Sequence, residues 1–112
     1  MEDNRTHIIH ERTDEVRRTL GYRVVSSEGG NLKVLAAEAR CHPNDNFNRK
    51  VARSIVDTRL RSALDEGKRH RVFEAEFVNT KVPTNSTEWR ELEQSLILLS
   101  DLRLPSPAAL QA

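Results

Sequence analysis

Two strand-like runs, GYRVVSS over 21–27 and NLKVLAAEARC over 31–41, are separated only by the tripeptide EGG. Gly29 and Gly30 accept the positive φ that tight hairpin turns demand. Val24, Val25, Val34 and Leu35 fit a pleated, half-buried surface. The pattern predicts an antiparallel hairpin, and the rest of the chain has to be arranged around it.

The flanking segments supply further elements. Ile8, Arg12, Val16 and Leu20 fall at helical spacing, and Gly21 suits the position just past a helix end. A helix over 13–20 is therefore expected, although His7 to His10 reads equally well as a short strand. In HPND, Pro43 discourages helical geometry at His42. Asn44 or Asp45 can cap the helix that follows, over about residues 45–65 and stopping near Gly67. RVFEAEFV reads as a third strand, with Phe73, Ala75 and Phe77 on one side and Glu74 and Glu76 on the wet side. Asn85 followed by Glu88 resembles a capping box for a second helix over 86–102. The order implies an α+β fold, a small antiparallel sheet (the hairpin plus a third strand) covered by two main helices on one face. Residues 1–112 form a single domain, with flexible ends at about 1–6 and 105–112.

Composition narrows the class. Charged residues make up 31% and hydrophobic residues 37% of the chain, enough for a modest core. The formal net charge is only +1, so any cationic function must be local. One cysteine, Cys41, permits no disulfide within a chain and fits a reducing compartment. The start MEDNRTHIIH lacks the pattern of a secretion signal, and the longest apolar run, Leu96–Leu99, is too short to cross a bilayer. These features predict a cytoplasmic protein.

Catalytic signatures are weak. Cys41 and His42 are neighbours on a strand and point to opposite faces, so they do not form a thiol–base pair. The four histidines, His7, His10, His42 and His70, have no metal-ligand spacing. There is no P-loop and no GxGxxG. The reading is of a non-enzymatic protein without cofactor or metal.

The first main helix carries the functional signal. Phe47, Val51 and Ile55 share one side, with Val56 and Ala63 at its margin. Lys50, Arg53, Asp57 and Arg61 form a stripe opposite. Arg59 projects toward the apolar arc and must pair with an acid inside the fold or point into an interface or ligand pocket. The plain reading of the stripe is a solvated face, with Asp57 paired at i,i+4 to Arg53 and Arg61. The sharper reading is an anion site, because arginine binds phosphate in planar, bidentate fashion and a helix N-terminus offers free amides. Arg49 and Lys50 near that N-terminus oppose the helix dipole. Phe47 or Tyr22 is available for stacking. Aromatic residues make up only 4%, which disfavours single-stranded nucleic acid as the partner.

The run NDNFNRKVARSIVDTRL resembles a pattern of small phage and prophage proteins. There, a strand ending in Cys leads through a polar turn to Asp-x-Phe, two basic residues, a Gly-Arg pair and a later Arg. The matching residues are Cys41, Asp45, Phe47, Arg49, Lys50, Arg53 and Arg59, within residues 36–61. Ala52 stands where the pattern has glycine, which puts in doubt any close approach made there. Some phage proteins of this size oppose host immunity. The anti-Thoeris sponge proteins, similar in being small, non-enzymatic and oligomeric, sequester cyclic nucleotide-like signals in pockets lined with arginine and aromatic residues.

The second helix raises a separate question. Leu92, Leu96, Ile97, Leu98, Leu99, Leu102 and Leu104 exceed one face of a short helix. Either part of it packs on a second copy of the chain, or the N-terminal segment wraps it. The combined expectation is a homo-oligomer joined through 86–102 that sequesters a phosphate-bearing small molecule with Phe47, Arg49, Lys50, Arg53, Arg59, Arg61 and Tyr22. The alternatives are an inhibitor that binds a host protein through the leucine-rich helix or the hairpin edge, and a nucleic-acid-binding accessory protein.

Overall fold

The computed structural model describes residues 5–12, 17–41 and 48–104. Strands β1 (His7–Arg12), β2 (Arg17–Ser26) and β3 (Leu32–Cys41) precede helix α1 (Arg49–Glu66), followed by strand β4 (Val72–Phe77) and helix α2 (Ser86–Arg103). The fold is α+β, with one antiparallel sheet in the order β1-β2-β3-β4. Expected features that fall on 13–16, 42–47 and 105–112, among them Asp45, Phe47 and the C-terminal tail, lie outside the described residues.

The hairpin forms as expected. β2 and β3 pair from Arg17↔Cys41 to Ser26↔Lys33, with a bulge between Val24 and Ser26. A single 3-10 turn over Glu28–Gly30 joins them, with φ of 69° at Gly29 and 76° at Gly30.

Of the helix expected over 13–20, residues 17–20 instead belong to β2, and the alternative strand at His7–His10 is present within β1 beside it. Residues four apart share a side in a helix but also in a strand, where the side-chain period is two. The Ile8-to-Leu20 spacing therefore did not distinguish them, and the sheet gains a fourth strand.

The helices cover opposite faces rather than one. Alternate residues of β3 diverge: Leu32, Val34 and Ala36 join Tyr22, Val24, Phe73, Leu92 and Leu96 in one core, while Leu35, Ala37 and Ala39 join Ala52, Val56, Leu60 and Ala63 in the other. α2 lies over the first face and α1 over the second. Both faces of β3 are buried through its middle, so that strand shows no polar alternation.

α1 starts later than expected, and its cap is Asn48, whose side chain accepts from the amides of Lys50 at 3.0 Å and Val51 at 3.1 Å. It ends at Gly67, whose amide returns to the carbonyls of Ala63 and Ser62. α2 has the expected cap: Asn85 accepts from the Glu88 amide, and the Glu88 carboxylate accepts from the Thr84 amide, the Thr84 hydroxyl and the Asn85 side chain.

Packing turns α1 by about one residue, or roughly 100°, from the orientation expected. Ala52, Val56, Leu60 and Ala63 face the sheet, while Val51 and Ile55 are 53% and 38% exposed. The cause lies in the sheet. A Cβ on Gly21 would meet the Val56 side chain at 2.8 Å. Helix and strand touch there: Gly21 has no side chain beneath Val56, and Ala52 and Ala63 on the same helix face let the helix sit close.

Candidate anion-binding site

β1 and α1 run antiparallel along one edge of the sheet, and a groove of about 370 Å³ opens between them, lined by Arg5, Thr6, Ile8, Lys50, Arg53, Ser54 and Asp57. Four of these stand at positions i, i+3, i+4 and i+7 of α1, which is one helical face. Opposite them, Ile8 turns to this side of the sheet because its partner in β2 is Gly21, the residue against Val56.

The charges in the groove are unequally satisfied. Asp57 accepts from Arg61 at 2.6 Å and from Arg23 at 3.5 Å. Of the two expected i,i+4 pairs of this solvated stripe, Arg61–Asp57 is made and Arg53–Asp57 is not. Among the described residues, Lys50 and Arg53 have no carboxylate partner, and both are exposed to solvent. Arg23 also donates to the Thr6 hydroxyl at 2.8 Å and so ties β2, the chain ahead of β1 and α1 together at the Asp57 end. Arg5 and Thr6, expected to be loose, are part of this wall.

At the other end, His10 shares a 2.8 Å hydrogen bond with the Thr19 hydroxyl. Burial lowers the His10 pKa from its usual value near 6.5, and the positive charges of Arg49 and Arg53 lower it further. Both arginines therefore act on the strand beside the groove.

The expected ligand residues separate into groups. Lys50 and Arg53 line the groove, and Arg49 stands one turn before Arg53. Arg61 is exposed and held by Asp57. Arg59 lies outside the groove: it is half-buried and donates to the backbone carbonyl of Glu38, with its pKa lowered by burial and by Arg71. Tyr22 is on the opposite face of the sheet and fully buried, its ring stacked on His7 and its hydroxyl donating to Glu93 at 2.7 Å. It offers no surface for stacking on the α1 side. The helix N-terminus is also less available than expected, since Asn48 occupies the amides of Lys50 and Val51. The groove therefore presents side-chain charges rather than free helix amides.

A second charged cluster escaped sequence reading. Arg18, 2% exposed, donates to Asp101 at 2.6 Å, to Ser100 at 2.8 Å and to Glu11 at 3.2 Å, and lies 3.5 Å from Glu38. Glu38 is wholly buried and also accepts from Arg40 at 2.9 Å and from Arg71. Three arginines and three carboxylates are thus matched, and they pin the end of α2 to β1, β2 and β3. The available signal was period two. Arg18 follows the alternation of Leu20 and Tyr22, and Glu38 that of Leu32, Val34 and Ala36, so both belonged to a covered face.

α2 absorbs more of its leucines than expected. Leu92, Leu96 and Leu104 are buried, and Leu99 and Trp89 pack against the same core with Ile9 of β1. Leu98 and Leu102 remain 66% and 80% exposed.

Among the described residues no helix is long and apolar enough to cross a membrane, and no group of three or more His, Cys, Asp or Glu side chains is placed to hold a metal ion. No family model matches the chain, and no curated protein or solved structure matches it.

Proposed function

We propose that this protein binds a phosphate-bearing small molecule in the groove between α1 and β1 and holds it without turnover. The observation that carries the reading is that Lys50 and Arg53, one turn apart on the face of α1 that looks onto Arg5, have no carboxylate partner among the described residues. Like charges so placed repel one another by a few tenths of a kcal/mol, and a bound anion removes that repulsion. Arginine and lysine beside the hydroxyls of Thr6 and Ser54 form a donor set suited to phosphate oxygens. The remaining acid, Asp57, is already engaged by two arginines.

The resemblance to small phage proteins suggests the role: removal of a nucleotide-like signal from the host cytoplasm to counter immunity. The exposed Leu98 and Leu102 support a second element of the proposal, self-association through α2. The same ridge also fits the alternative of an inhibitor docked on a host defence protein.

Native mass spectrometry of protein purified from cells, repeated after denaturation, tests the reading. A retained small molecule, absent from the Lys50→Gln/Arg53→Gln variant, is the expected result. Equal retention by the folded double variant overturns the groove as the site.

A further inference from the structure

The cationic strip continues beyond the groove, and its length identifies the class of ligand. Two contacts fix how β1 lies along α1, and the charges that act on His10 agree with them. Arg23 bridges Thr6 and Asp57. A Cβ at Gly21 would meet both Val56, at 2.8 Å, and Ile8, at 3.4 Å. His10 lies within the field of Arg49 and Arg53. Moving from Thr6 to His10 along the strand therefore means moving back along α1 from Asp57 to Arg49, a distance of about 13 Å at the strand rise.

Charge is graded along that line. The Asp57 end is closed by an acid and its two arginine partners. The middle holds Lys50 and Arg53 across from Arg5. The far end holds Arg49, four residues before Arg53, with His10 on the strand. Arg49 and Arg53 are like charges at i,i+4, and among the described residues neither has a carboxylate partner. A single phosphate in the groove engages Lys50, Arg53 and Arg5 and leaves Arg49 unanswered. Arg53, common to both ends, is placed to contact two anionic groups.

We infer, building on the groove reading above, that the ligand carries two linked phosphate groups, the first held by Lys50, Arg53 and Arg5 and the second by Arg49 and Arg53 beside His10. The ligand class is a small diphosphate or dinucleotide. The strip closes at Asp57, which opposes a phosphodiester chain running through it, and the described groove residues include no aromatic platform for successive bases.

The test is calorimetric titration at fixed ionic strength with inorganic phosphate, pyrophosphate and a single-stranded oligonucleotide. It uses the wild-type chain and the Lys50→Gln and Arg49→Gln variants, each first confirmed folded by circular dichroism. Pyrophosphate carries more charge and binds tighter on that ground alone, so the variants decide. Arg49→Gln is expected to weaken pyrophosphate by about tenfold, near 1.4 kcal/mol, and to leave phosphate unchanged, while Lys50→Gln weakens both. If Arg49→Gln weakens both equally or neither, the second phosphate position is overturned and the groove stands. If neither anion binds the wild-type chain, the groove reading fails with it. Tighter binding of the oligonucleotide than of pyrophosphate, with a steep loss in salt, overturns the small-ligand class in favour of nucleic acid.

Discussion

Replacing Glu38 with glutamine removes one negative charge from a site that water does not reach, and the structure specifies what is left behind. The Glu38 side chain is wholly buried and serves Arg18, Arg40 and Arg71. Removing one partner of a buried ion pair costs about 3–5 kcal/mol. Two features place this case near the lower bound. Arg18 keeps Asp101 and Glu11, and Arg40 and Arg71 retain some contact with water, each 15% exposed. Glutamine also keeps one acceptor oxygen. The expected loss is about 3 kcal/mol, a large share of the roughly 5–15 kcal/mol that holds a domain of this size together. At roughly 4 °C per kcal/mol the midpoint of thermal unfolding falls by about 12 °C. Thermal and urea unfolding followed by circular dichroism measure both quantities. Arg18→Met combined with Glu38→Gln should cost less than the two single changes summed, because each removes the other's partner. A Glu38→Gln loss below about 1 kcal/mol, or strict additivity of the pair, refutes the cluster as a buried, coupled lock.

Gly21→Ala drives a Cβ to 2.8 Å from the Val56 side chain and should destabilise the fold by about 1–3 kcal/mol in urea melts, with Val56→Ala in the same chain recovering part of the loss. His10 gives a pH signature. Its native pKa lies below its unfolded value near 6.5 because of burial, Arg49 and Arg53, with Thr19 its partner from β2. The unfolded state then binds more protons, so this contribution to stability is complete above pH 6.5 and lost as pH falls below it, and His10→Gln removes that dependence from pH-resolved melts. A bound anion offsets the two arginines and raises the His10 pKa, so pyrophosphate affinity should rise more steeply with falling pH in the wild type than in His10→Gln. Leu98→Gln/Leu102→Gln should lower the oligomer mass measured by light scattering while leaving the melting temperature within a few degrees, since both side chains face solvent in the single chain.

What the sequence disclosed follows the strength of its local chemistry. The β2–β3 hairpin was legible because two adjacent glycines at positive φ interrupt β-branched runs. α2 was legible because Asn85 and Glu88 cap it and Leu92, Leu96 and Leu99 repeat along it. β1 and the start of β2 were not. Their apolar residues are few, Arg18 stands on a covered face, and a four-residue spacing fits either element. The facing of α1 was misread for a related reason. The larger Val51 and Ile55 suggested the inner side, whereas Ala52 and Ala63 are small enough to sit close to a sheet whose floor there is Gly21 and Ala37. The basic residues of α1 were conspicuous, but which of them lack a carboxylate partner among the described residues depends on Asp57 going to Arg61 and to Arg23, the latter 34 residues away in the chain. Lys50 and Arg53 were legible as cations on one helical face, whereas the partner wall of Arg5 and Thr6 that makes a groove beside them was not.

The most direct measurement is a two-dimensional amide NMR titration of the isotopically labelled chain with pyrophosphate. Saturable shifts confined to the amides of Arg5–His10 and Arg49–Asp57, absent in Lys50→Gln/Arg53→Gln, are the predicted result. Shifts centred on α2 or β4, or no saturable shift at all, contradict the account.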